Sequence, residues 1–158
     1  MTWRGTTTVK DRIFACLPYL LPLTSALPFG TYLFRQFPAL SLLLLPLQPV
    51  LLIYSAIPFA GLVVFFLLFL LVVRNERIAH FIRFNTMQAI LLDILLVLCS
   101  LVLPILLKAL QFNLLTETLL NIVFLGTVVA CGYSVVQSIL GRYAEIPALS
   151  EAVHAQVR

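Results

Sequence analysis

The sequence predicts an all-α membrane protein with four transmembrane helices and both termini on the inner, cytosolic or stromal, side. Three observations lead there. Long apolar stretches recur along 158 residues that are 62% hydrophobic and only 10% charged, where soluble domains carry roughly 25% charged residues. The mean hydropathy of +1.11 is more than a soluble core of this size can hide, so lipid must act as solvent for much of the surface. Finally, eight of the ten Lys and Arg residues fall on one side if the chain crosses four times: Arg4, Lys10, Arg12, Arg74, Arg77, Arg83, Arg142 and Arg158. Only Arg35 and Lys108 fall on the other. Positive residues in short loops stay inside, which makes Arg74, Arg77, Arg83 and Arg142 topology anchors.

The elements follow in order. Thr8 with Asp11 three residues later reads as a helix N-cap, with Lys10 and Arg12 at the inner interface. Span one covers about 13–34 and contains Pro18, Pro22 and Pro28, with Pro28-Phe29-Gly30 as a break or an end. Its start is positive and apolar, and Thr24-Ser25-Ala26 has the look of a small-residue cleavage site. Pro18 and Pro22 interrupt that run and three more spans follow, so it reads as a retained first helix, and with no long Ser- and Arg-rich transit segment the chain is expected to be bacterial or plastid-encoded. Residues 38–49, with Pro38, Pro46 and Pro49, are too short to span and read as an interfacial or re-entrant piece. Span two covers about 50–73, where Pro58-Phe59-Ala60-Gly61 is a site for a kink. Span three covers about 85–107 and is closed by Lys108; span four covers about 118–140 and stops at Gly141-Arg142. In the tail, 141–158, a short amphipathic helix is expected after Pro147, with Leu149, Ala152, Val153 and Gln156 at helical spacing. No repeat or linker divides the chain, so 1–158 is one domain.

Several functions are excluded by what these residue types can do. The basic residues sit at helix ends and form no stripe with interleaved aromatics, so nucleic acid is not the expected partner; anionic lipid headgroups are. Cys16, Cys99 and Cys131 lack CxxC spacing, and His80 and His154 have no ligand-spaced companions, so neither a metal nor any other cofactor is expected. There is no phosphate loop, carboxylate pair or nucleophile with its base, so the chain does not read as an enzyme.

Two intramembrane patterns remain. Thr86, Asp93 and Ser100 recur every seven residues on nearly one helix face, with Asp93 about 12 Å past Asn85 along the axis. A carboxylate at that depth must be paired, protonated or wetted. The stripe either lines a polar path or subunit contact, or holds Asp93 against a neighbouring helix, with Tyr133, Ser134 and Gln137 at matching depth on span four. On span four itself, Gly126, Ala130, Ser134 and Ser138 recur by fours, a spacing at which small residues admit a second backbone.

Three stretches are more specific than composition: Leu17-Pro18-Tyr19-Leu20-Leu21-Pro22, the run from Arg74-Asn75-Glu76-Arg77-Ile78 through Arg83-Phe84-Asn85-Thr86-Met87-Gln88 to Asp93, and Gly141-Arg142-Tyr143-Ala144-Glu145-Ile146-Pro147 through Val153. Together they resemble the Tic translocon twenty-kilodalton subunit family, of the chloroplast inner envelope and of cyanobacterial and plastid genomes. The resemblance implies a subunit that moves or inserts proteins across a membrane, as channel or scaffold, in the plastid inner envelope or a cyanobacterial plasma or thylakoid membrane. Its implied partners are other translocon subunits or further copies of itself, and a translocating polypeptide. It supplies no catalytic residues. A small transporter or ion channel using Asp93, or an assembly subunit with no pore, are the competing readings; four spans are few for a wide pore in one copy.

Overall fold

The structure, a computed structural model, describes residues 6–111 and 113–157. Arg4 and Arg158 lie outside the described residues. Every regular element among the described residues is helical.

The first helical run is built in segments because its prolines interrupt the hydrogen-bond ladder. It comprises α1 (Val9–Cys16), a 3₁₀ turn (Leu17–Tyr19), α2 (Leu20–Ala26), a second 3₁₀ turn (Leu27–Gly30) and α3 (Thr31–Gln36). Each 3₁₀ turn carries a proline near its start, which removes an N–H donor and tightens the local winding. The expected cap at Thr8 is present as a reciprocal pair. The Asp11 N–H donates to Thr8 Oγ1 at 3.3 Å, and the Thr8 N–H donates to Asp11 Oδ2 at 2.9 Å.

The next segment differs from the sequence expectation of a short piece over 38–49 followed by one helix over 50–73. A 3₁₀ helix (Pro38–Leu47) runs directly into α4 (Gln48–Ala56), so that Pro38–Ala56 is a 19-residue apolar stretch, long enough to cross a membrane. None of its residues is fully buried in the chain, although Leu40, Leu44, Leu47, Val50, Leu51 and Tyr54 are half-buried. The helix then breaks. Ile57 precedes Pro58 and takes extended angles, φ −110° and ψ 118°, as the proline ring demands of its neighbour. Phe59 turns left-handed at φ 57° before α5 (Ala60–Leu67), which ends in a π turn over Leu68–Val73.

α6 (His80–Leu110) and α7 (Asn113–Ile139) are long enough to cross a bilayer outright; α6 alone, at 31 residues, rises about 46 Å. With Val9–Gln36 and Pro38–Ala56 they are the four helical runs that meet that length and apolarity among the described residues. α7 ends on Gly141, at φ 73°, in a paired closure. The Arg142 N–H reaches the Gln137 carbonyl at 2.9 Å and the Gly141 N–H reaches that of Ser138 at 3.0 Å. The reversal leads to α8 (Pro147–Gln156).

α6 is the central post. Near its start, Phe84, Met87 and Ile90 pack with Val73 and with Val153 and Val157 of the tail. Further along, Ala89 and Leu92 meet Tyr19 and Cys131. Beyond them, Leu96 meets Ala26, Phe29 and Phe124. In the tail it is Val153 and Val157 that are buried and Leu149 that packs inward, while Ala152 and Gln156 are exposed.

Candidate functional site

Five polar side chains meet where α6 crosses the first helical run and α7. The Tyr19 hydroxyl donates to Asn85 Oδ1 at 2.9 Å, and Ser138 Oγ donates to the same oxygen at 3.0 Å. Gln88 Nε2 donates to the Tyr19 oxygen at 3.0 Å and to Ser134 Oγ at 3.2 Å. Asn85 Nδ2 closes on its own helix, donating to the Phe81 carbonyl at 2.9 Å. All five are completely buried. In a low-dielectric interior such bonds lack competing water, and breaking them strands the partners. The network therefore fixes the rotation and height of three helices relative to one another. One acceptor in it, Gln88 Oε1, has no partner among the described residues.

The expected sites fall as follows. Thr86, Asp93 and Ser100 are not brought together. Thr86 is buried, donates to the Ile82 carbonyl and borders a cavity of about 580 Å³ between the first helical run, α4 and α5. Asp93 borders a second cavity of about 320 Å³. Ser100 is exposed and donates to its own helix at Val97. The polar neighbour of Asp93 is Ser25 of α2, not span four. Ser134 is level with Gln88, five residues or about 7.5 Å before Asp93, and Asp93 also lies about 140° around α6 from Gln88, which takes Ser134 instead.

The small residues of span four divide similarly. Ser134 and Ser138 are buried in the network and Ala130 packs beside Cys131. Gly126 is exposed, with no atom within 4 Å of where a Cβ would stand. The buried face of α7 instead reads Phe124, Thr127, Cys131, Ser134 and Ser138.

Five arginines gather at one end, while Arg35 and Lys108 close the far ends of α3 and α6. Arg12 Nη1 donates to the Ile139 carbonyl at 3.3 Å, and buried Arg83 donates through Nε to the Val73 carbonyl at 2.9 Å. Arg74, Arg77 and Arg142 are exposed around them. His80 sits within hydrogen-bonding distance of the Tyr143 hydroxyl, 3.1 Å, and of the Val157 carbonyl, 3.3 Å. The Tyr143 ring packs edge-on against Phe81 and Phe84. This end thus carries the start of α1, the 74–79 loop and both sides of the α7–α8 corner. Among the described residues no three His, Cys, Asp or Glu side chains come together.

Tyr19, Asn85 and Gln88 were not singled out by the sequence patterns as partners of the serines. The available signal was Asn85 and Gln88 at i and i+3 in an apolar span, facing Ser134 and Ser138 at i and i+4 in the next. The three stretches that carry the family resemblance meet here: Tyr19 belongs to the first, Asn85 and Gln88 to the second, and Gly141 and Tyr143 to the third.

The sequence profile of the family described as "Chloroplast import apparatus Tic20-like" matches residues 8–153. The chain belongs to the Tic20 family. A Tic20 family protein of Synechocystis sp. is 49% identical over 160 aligned positions, covering 100% of this chain and 99% of that protein. Protein TIC 20-II, chloroplastic, of Arabidopsis thaliana is 35% identical, covering 96% of this chain and 74% of its own length. The Tic20 family protein Ycf60 of Gracilaria tenuistipitata var. liui is 33% identical, with 95% and 76% covered. Membership and four long apolar helical runs together make this a multi-pass membrane protein of the plastid and cyanobacterial Tic20 type. Tic20 proteins are named for protein import and not for catalysis.

Proposed function

We propose that this chain is a membrane-embedded subunit of a protein translocation complex, acting as a scaffold from which a polypeptide path is assembled with other subunits or further copies. The observation that carries the reading is family membership over almost the whole chain, with 49% identity to a Tic20 family protein from end to end. The packing agrees with a scaffold. Apart from Gln88 Oε1, the side-chain groups of the network bond to one another or to their own helix in a fully buried core. The Pro38–Ala56 arm stands against that core with apolar cavities behind it, one of about 580 Å³ and one of about 300 Å³. The proposed orientation puts both ends and the 74–79 loop on the cytosolic or stromal side, where the basic residues gather.

Photocrosslinking to a substrate arrested in transit tests this. A photoreactive residue at Leu43 or Tyr54, on the arm, should capture the arrested chain, and one at Ala144, buried at the basic end, should not. Absence of any substrate crosslink from the arm, with other subunits still captured, would assign the chain to assembly alone. Selective small-ion flux from the purified protein, lost in Asp93→Asn, would replace the reading with a channel.

A further inference from the structure

Asp93 is the fourteenth of the 31 residues of α6, close to its midpoint and about 20 Å from its start. The residue is only 5% exposed, yet it borders the 320 Å³ cavity with Ser25, Gly61, Leu62, Phe65 and Val97. Ser25 serves one part of the carboxyl group; Oδ1 has no partner among the described residues. The group turns about a soft two-fold torsion, so either oxygen can be presented to the cavity. The other wall is open for a specific reason. A Cβ on Gly61 would meet only the Tyr54 ring, at 3.9 Å, so the absence of a side chain there is what keeps the space clear.

We propose that this cavity is a lateral docking site for a membrane-spanning segment of another polypeptide that carries a basic side chain at mid-membrane depth. The apolar walls suit the methylene stem of such a side chain, and the carboxylate suits its charged head. A basic residue in the middle of a lone spanning helix is costly, and a buried carboxylate lacking a partner is costly too; docking relieves both at once. Other occupants fit less well. A lipid amine sits in the headgroup layer, about half of a ~30 Å hydrocarbon core away. A hard metal cation takes six or more oxygens, whereas Ser25 and Asp93 are the polar side chains of this cavity. A second copy of this chain offers no basic residue in the middle of a span among the described residues, since their Lys and Arg side chains belong to helix ends or loops.

The test uses the full chain in lipid vesicles and a synthetic polyleucine spanning helix with one central lysine, read by energy transfer against the same helix without lysine. The lysine helix should associate about tenfold more tightly. Asp93→Asn, which keeps the shape and an acceptor, should abolish that preference. Gly61→Leu, which fills the cavity and leaves the carboxylate in place, should abolish it as well. Equal association of the two helices with the unaltered chain overturns the proposal, as does a lysine preference that survives either substitution. Should Asp93→Asn fail to fold, Gly61→Leu decides. Self-association of the chain that excludes the lysine helix and is lost on Asp93→Asn would give the cavity to a second copy and equally overturn it.

Discussion

Tyr19 and Asn85 are 66 residues apart in sequence and 2.9 Å apart in space, hydroxyl to amide oxygen, with both side chains wholly buried. Asn85 Oδ1 also accepts from Ser138, and the Tyr19 oxygen also accepts from Gln88, so one contact ties together three helices. Tyr19→Phe leaves Asn85 with Ser138 and Gln88 with Ser134, and should cost only about 0.5–1.5 kcal/mol. Asn85→Ala strands two hydroxyls and opens a small void, and should cost about 2–4 kcal/mol. Thermal unfolding in mild detergent ranks the two; the reverse order would mean that the network does not centre on Asn85.

Two glycines of the same helical region should respond oppositely. Gly141 adopts φ 73°, and a Cβ there would stand 2.7 Å from Thr7 Oγ1 and 3.0 Å from the Arg12 guanidinium. Gly141→Ala should therefore lose about 1–2 kcal/mol or more. Gly126 is helical and open on its outer side, so Gly126→Ala should be neutral or gain up to about 1 kcal/mol. If Gly126→Ala leaves the single chain stable but weakens a native complex, the exposed end of the small-residue series belongs to an interface with another subunit.

Phe59 holds a left-handed backbone at φ 57°, and the residue is 81% exposed. The strain is offset by little packing within the chain. Phe59→Gly should be neutral or stabilising by up to about 1 kcal/mol, while Phe59→Val should destabilise by about 1–2 kcal/mol because β-branching disfavours that region. Equal unfolding midpoints for the three proteins would show that the break at 57–59 does not resist rearrangement.

Orientation is checked by side-specific thiol labelling. In a chain whose own three cysteines are replaced by serine, cysteines at Glu76 and Gln156 should be labelled from one side of sealed vesicles and a cysteine at Gln111 from the other. Labelling of Glu76 and Gln156 from opposite sides would refute the placement of both ends with the 74–79 loop.

Local chemistry was legible in the sequence where it closes within a few residues. The Thr8–Asp11 cap, the stop at Gly141 and the disturbance at Pro58 each need only neighbouring atoms. The long apolar runs that became α6 and α7 were legible because length alone qualifies them. Helix rotation was not. A spacing of four turns 400°, so each step drifts about 40°, and three steps carry Gly126 about 120° away from Ser138. That drift puts Gly126 outside while Ser138 stays inside. The same missing angle, together with a register about five residues too far along α6, separated Asp93 from its expected partners on span four and hid Gln88 as the partner of Ser134. The extent of the 38–56 arm was missed because Pro49 looked like a boundary, whereas proline at the first turn of a helix is compatible with starting one.

The reach of the Tyr19 hydrogen bonds sets a schedule for synthesis. At roughly 5–20 residues per second, Asn85 emerges about 3–13 s after Tyr19, and Ser138 follows some 3–11 s later. Through that interval the first helix carries a hydroxyl and three backbone-interrupting prolines with no mates from its own chain. Until α6 and α7 have followed, that hydroxyl lacks the partners that hold it in the folded chain, so the first helix to be made cannot be fixed in rotation before the other two.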